Sequence, residues 1–138
     1  MNPVVHFEMP YDNRDRMASF YEKAFGWGIK KMGPEMGNYV LASTTDIDTR
    51  SGMPKSPGAI NGGFFERMKD MGTTVVISVD DIKEAMKRVT DSGGKIIGAH
   101  KPGEPDDIPG VWLYISFLDT EGNRVGMLQP TMSAAGAK

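Results

Sequence analysis

Hydrophobic and polar positions alternate over residues 3–9, with Val5, Phe7 and Met9 on one face and His6 and Glu8 on the other. Period-two alternation predicts a half-buried strand. Pro10 ends the run, and Asp12 or Asn13 offers a helix cap. The period then changes. Met17, Phe20, Tyr21, Ala24 and Phe25 recur at i, i+3, i+4, i+7 and i+8, the apolar stripe of an amphipathic helix, and Gly26 stops it. Residues 27–31 and 38–43 read as strands around a Gly33-Pro34-Glu35 turn. A final strand is expected over 60–66.

The second half repeats this order. A Val/Ile-rich strand over 73–79 leads to Asp81 and Glu84, a capping signal. Ile82, Ala85, Met86 and Val89 then form a second helical stripe, which Gly93-Gly94 terminates. A short strand is expected over 95–99, and a hairpin joins 111–118 to 123–129. Such a repeat predicts an α+β fold of two β-α-β-β-β modules, with curved mixed sheets around a cleft. Module one spans 3–66 and module two 73–130, within one domain over 1–130. Residues 131–138 read as a flexible tail. Val5, Phe7, Phe20, Tyr21, Phe25, Val75, Ile77, Ile82, Met86 and Val89 are expected at the sheet–helix interfaces.

Two segments break the pattern. Residues 45–59 and 100–110 are rich in proline and glycine and read as long loops, which are either lids and binding segments or plain connections. Four of the 11 methionines fall in apparent loops, namely Met36, Met53, Met68 and Met71. They either line a binding site adaptably or fill gaps.

Composition narrows the function. At 138 residues and net charge −2, the chain shows no electrostatic footprint for nucleic acid or an anionic membrane. No apolar run reaches the roughly 20 residues of a membrane span, and residues 1–10 do not resemble a signal peptide. Absence of cysteine excludes disulfides, thiolate metal sites and a cysteine nucleophile, and fits a cytoplasmic location.

Three stretches carry a resemblance: MASFYEKAFGW after the first strand, SVDDIKEAMKRVTDSGGKI in the middle, and FLDTEGNRVGMLQ near the end. Across residues 3–130 the chain resembles the vicinal oxygen chelate superfamily, which contains glyoxalases, bleomycin resistance proteins and extradiol dioxygenases. Metal-dependent members draw four ligands from equivalent strand positions. Carried onto this chain, those positions are His6, Gly63, Thr74 and Gly126. Glycine has no donor, and a neutral threonine hydroxyl is a poor ligand. One histidine falls short of the roughly three protein ligands of a catalytic site, even with Glu8 beside it. The resemblance therefore implies no bound metal or other cofactor here. It also implies a homodimer, since single-domain members commonly pair.

The ligand-binding cleft is expected to use His6, Glu8, Gly63, Thr74, Tyr114, Ser116 and Gly126. A strand glycine admits close approach of a ligand or marks a bulge. His6 could act as a general base or be a buried hydrogen-bonded histidine. Tyr114 and Ser116 share a strand face with Trp112. Asp119–Asn123 fits a turn better than a catalytic carboxylate pair, and His100 reads as solvated surface. The expected function is metal-independent small-molecule binding. The alternative is a lyase, isomerase or dioxygenase of the same superfamily using His6 and Glu8, with or without a divalent metal. A third reading is a domain used only for association.

Overall fold

A computed structural model describes residues 1–69, 71–98 and 101–131, and among these it has nine strands, two α-helices and a one-turn 3-10 helix over Pro34–Met36. The tail beyond Thr131 and His100 lie outside the described residues. Two compact units emerge, one over His6–Thr74 and one combining Met1–Val5 with the chain from Val75 onward. The architecture is α+β, as the repeat implied.

In the first unit, β1 (Val4–Tyr11) leads to α1 (Arg14–Phe25), β2 (Gly28–Lys31), β3 (Val40–Ser43) and β4 (Asn61–Glu66). The strand order is β2-β3-β4-β1, with β4 returning parallel to β1. Asn13 caps α1 by accepting from the Arg16 N–H at 2.9 Å. Gly26 ends the helix in the left-handed region at φ 71°, which glycine reaches without steric cost. Tyr11, Val40, Ala42 and Phe64 form the core, with Phe7, Met9, Met17, Tyr21, Trp27 and Ile29 packed on it. Tyr21 stacks on Trp27 at 4.6 Å.

Two expected core positions are corrected here. Phe20 is 56% exposed and Phe25 64% exposed. The helix turns Met17, Ala18 and Tyr21 toward the core, so Phe20 falls on its flank and Phe25 at its last position. Both keep ring contacts, Phe20 edge-on with Tyr21 and with Phe25, and Phe25 tilted against Tyr21 and Trp27.

The second unit repeats the plan with β5 (Thr74–Ser78), α2 (Ile82–Asp91), β6 (Lys95–Gly98), β8 (Trp112–Leu118) and β9 (Arg124–Pro130), in the order β5-β9-β8-β6. A short strand that the pattern did not predict, β7 (Asp106–Ile108), pairs with β8 inside the expected 100–110 loop. Asp81 caps α2 through the Lys83 and Glu84 N–H groups, and Gln129 Oε1 accepts from the Ile82 N–H at 2.9 Å. Val79, Ile82, Ala85, Ile115 and Met127 make the core, flanked by Ile77, Met86 and Val89. Val75 shares the alternation of Ile77 but is 42% exposed and not part of that cluster. The 119–123 segment is a turn, held by Asp119 accepting from the Glu121 and Asn123 N–H groups.

The 45–59 segment is tied by its own bonds. Ile47 bridges Pro54, the Asp48 N–H donates to the Met53 carbonyl at 2.8 Å, and the Lys55 N–H donates to the Asp46 carbonyl. Among the described residues no helix is long and apolar enough to cross a membrane.

Candidate functional site

The face of the first sheet turned away from α1 is set by register. His6 and Glu8 alternate with the core residues Phe7 and Met9 on β1, and Glu8 lies opposite Gly63 on β4. Gly63 in turn lies opposite Leu41 on β3, and Leu41 opposite Lys30 on β2. Lys30, Leu41, Gly63 and Glu8 thus form one row across the sheet.

Tyr39, just ahead of β3 and two residues before Leu41, leans over this row. A Cβ built at Gly63 would fall on its phenol ring. On the opposite face, a Cβ at Gly62 would meet the Phe7 ring at 2.5 Å. The Gly62-Gly63 pair therefore exists to admit two aromatic rings, one per face. The β1–β4 register runs through without a shift, so neither glycine marks a bulge. The space that a missing side chain at Gly63 suggested is occupied by Tyr39.

The Tyr39 hydroxyl donates to Glu8 Oε2 at 2.8 Å and lies 3.0 Å from His6 Nε2. Its single proton is used on Glu8. With that proton directed at Glu8, the consistent assignment has His6 Nε2–H donating to the Tyr39 oxygen. His6 is buried, and desolvation pushes its imidazole from 6.5 down to about 4, so it stays neutral at physiological pH. Glu8 and Tyr39 are half-buried. Thr74, at the end of this unit, is buried at 8% exposure.

The second unit carries Tyr114, Ser116 and Gly126. Gly126 lies opposite Ser116, and Tyr114 stands two residues before Ser116. A Cβ at Gly126 would meet Tyr114, with its ring Cε1 at 2.9 Å. This is the same register as Tyr39 over Gly63. Ser116 is buried, lies 3.4 Å from the Gly98 carbonyl and accepts from Arg124 Nη2 at 3.2 Å. Tyr39, missed from the sequence, matches Tyr114 once the strand register is known: each is a tyrosine two places before the strand partner of a glycine.

The donor set does not fit a catalytic divalent metal. Gly63 and Gly126 present no ligand atom, and a tyrosine ring covers each. Among the described residues no three His, Asp or Glu side chains gather as a ligand group. Cavities of about 580 and 340 Å³ lie beside the helices. The larger is lined by Ile77, Val79, Arg88, Val89 and Phe117, the smaller by Tyr11, Arg16, Met17 and Phe20. Neither is lined by His6, Glu8 or Tyr39, so the polar set rather than cavity size marks the candidate site.

Comparison with known proteins bears on the fold. The family model for the Glyoxalase/Bleomycin resistance protein/Dioxygenase superfamily matches residues 4–127. A glyoxylase-like domain-containing protein of Didymella fabae is 28% identical over 126 residues, covering 87% of this chain and 88% of that one. A methylmalonyl-CoA epimerase of Streptomyces coelicolor superposes with a TM-score of 0.67 at 14% identity, covering 95% of this chain and 96% of that one. A superfamily member from Vibrio splendidus 12B01 superposes at 0.59 with 15% identity, covering 94% and 99%. At such identities the structural likeness speaks for the fold alone.

Proposed function

Because the chain belongs to the glyoxalase/bleomycin resistance protein/dioxygenase superfamily, we propose that it is a metal-independent small-molecule-binding protein built on the glyoxalase-like fold. One observation carries this reading. Where a metal-dependent relative would present a ligand side chain, this chain has Gly63 under the Tyr39 ring, and the remaining polar groups bond to one another. His6, Glu8 and Tyr39 supply the polar contacts of the binding site, with Gly63 and Thr74 in the same unit. Tyr114, Ser116 and Gly126 form the corresponding set of the second unit. The protein works as a cytoplasmic homodimer without a cofactor.

The test is elemental analysis of protein purified without added metal, followed by a thermal-shift screen of small molecules. A ligand specific to the native state raises the melting temperature by mass action. Near-stoichiometric zinc, nickel, iron or manganese would overturn metal independence. Light scattering at the monomer mass of 15.1 kDa across micromolar concentrations would overturn the dimer.

A second reading is favoured by the unbroken His6–Tyr39–Glu8 chain. Connected acid–base groups of this kind can move a proton, and an isomerase or lyase acting without metal would use them. Dioxygenase chemistry gains no support from this donor set. Turnover lost in both His6→Gln and Glu8→Gln would establish the enzymatic reading.

A further inference from the structure

We infer that the second unit reads an oxyanion on the ligand, a carboxylate or a phosphate, through Arg124 with Lys95 beside it. This rests on the small-molecule-binding reading and names the chemistry of its second polar set. Strand alternation gives the placement. Ile115 and Met127 join Ile82 and Ala85 of α2 in the core, with Ile96 and Phe117 packed on it. Lys95, Ser116, Leu118, Arg124 and Gly126 alternate with these residues and so fall on the opposite face. Lys95 lies opposite Leu118, and Leu118 opposite Arg124. A cation, a leucine and a cation thus form one row, about 10 Å across two strand spacings.

Arg124 is half-buried, where a charge without a counter-ion is costly. Its Nη2 donates to the Ser116 oxygen at 3.2 Å. Ser116 is buried and lies 3.4 Å from the Gly98 carbonyl, so its own proton turns to that carbonyl and its oxygen is left to accept. One of the five guanidinium N–H groups is spent on this neutral hydroxyl, which holds the group without cancelling its charge. Among the described residues no carboxylate pairs with Arg124 or Lys95. The carboxylates of the neighbouring turn are engaged within it. Asp119 accepts from the Glu121 and Asn123 N–H groups and from Asn123 Nδ2, and Glu121 from the Thr120 hydroxyl. A guanidinium fork fits a carboxylate or phosphate with two parallel bonds. Leu118 offers apolar surface to the body that carries the anion. An anion over Leu118 lies about 5 Å from the strand of each cation, inside the Debye length of about 8 Å in physiological salt.

The experiment uses three probes that share a ring and differ in the head: benzoate, phenyl phosphate and benzamide. Binding is followed by NMR on the full chain, with the Ser116 and Gly126 amides as site reporters. Benzoate, phenyl phosphate or both should shift these amides, and the tighter of the two identifies the oxyanion. Benzamide, neutral and of benzoate's shape, should bind at least about tenfold more weakly. Arg124→Gln should weaken the anion by roughly ten- to a hundredfold. Arg124→Lys should recover only part of this, because it restores the charge without the fork. Lys95→Gln, at an exposed position, should cost about threefold, a loss that shrinks at high salt. Equal losses for benzamide and benzoate in Arg124→Gln would make the arginine merely structural and overturn the inference. So would benzamide binding as tightly as the anions, or no probe shifting the Ser116 or Gly126 amides up to tens of millimolar. A neutral ligand from the wider screen that binds this face while both anions fail would overturn the oxyanion and leave the small-molecule reading standing. No ligand of any kind in that screen would sink the binding reading itself.

Discussion

The two units share one device and set different polar groups around it. In the first, Tyr39 covers Gly63 and stands two residues before its strand partner Leu41. In the second, Tyr114 covers Gly126 and stands two residues before Ser116. The first device joins a carboxylate and a buried imidazole, Glu8 and His6. The residue opposite Gly126 instead ties Arg124 and the Gly98 carbonyl through the Ser116 hydroxyl. Repetition thus preserves how a ring seats on a strand glycine, because backbone register and packing fix that. It does not preserve the polar groups around the ring, which are where chemistry can diverge.

The largest expected effect breaks the device itself. Gly63→Ala drives a Cβ into the Tyr39 ring, and Gly126→Ala does the same at Tyr114. Overpacking of this kind costs about 1–3 kcal/mol. Urea denaturation should show both losses. In a Tyr39→Ala background the cost of Gly63→Ala should shrink, while that of Gly126→Ala should persist. A Gly63→Ala cost that survives Tyr39→Ala would separate the glycine from the ring.

A pH effect of comparable size is confined to the first device. His6 falls from 6.5 to about 4 through desolvation. The unfolded chain therefore takes up a proton at higher pH than the native one does. The stability tied to the neutral imidazole is fully present above about pH 6.5 and is lost as pH falls toward 4. The loss amounts to about 3 kcal/mol by linkage. Denaturation midpoints at several pH values check it, and His6→Gln should flatten that part of the slope. A His6 NMR titration near 6.5 would contradict the burial argument.

Much of the fold was legible because periodicity reports burial. The change from period two at Phe7 to the helical stripe at Met17, repeated at Ile77 and Ile82, marked both β–α passages. A first cap at Asp12 or Asn13, which proves to be Asn13, the cap at Asp81 and the stop at Gly26 followed from local chemistry. Periodicity failed where a helix flank carries aromatics: Phe20 and Phe25 look like core in a helical count yet are more than half exposed. It also failed at Asp106–Ile108, where three residues are too few to show a period. His6 and Glu8 were legible as a shared strand face. Tyr39 was not, since its role depends on which residue of β3 opposes Gly63, and strand register is a tertiary property.

Smaller effects sharpen the comparison at the helices. Asp81→Ala should cost about 1 kcal/mol, the usual worth of an N-cap, and Asn13→Ala about as much in the first unit. Because Gln129 also accepts from the Ile82 N–H, Asp81→Ala combined with Gln129→Ala should exceed either alone. Thermal denaturation of the single and double variants decides it. The exposed Lys87–Asp91 pair, at 76% and 62% side-chain exposure, should contribute about 0.3–0.5 kcal/mol, an effect that salt screens.

The most direct test of the account is the affinity of a small molecule found by the thermal-shift screen for the wild type, Tyr39→Phe and Tyr114→Phe. If binding chemistry sits with the device that holds Glu8 and His6, Tyr39→Phe weakens it by about tenfold while Tyr114→Phe changes it by less than about threefold. A larger loss in Tyr114→Phe, or equal losses in both, would contradict it.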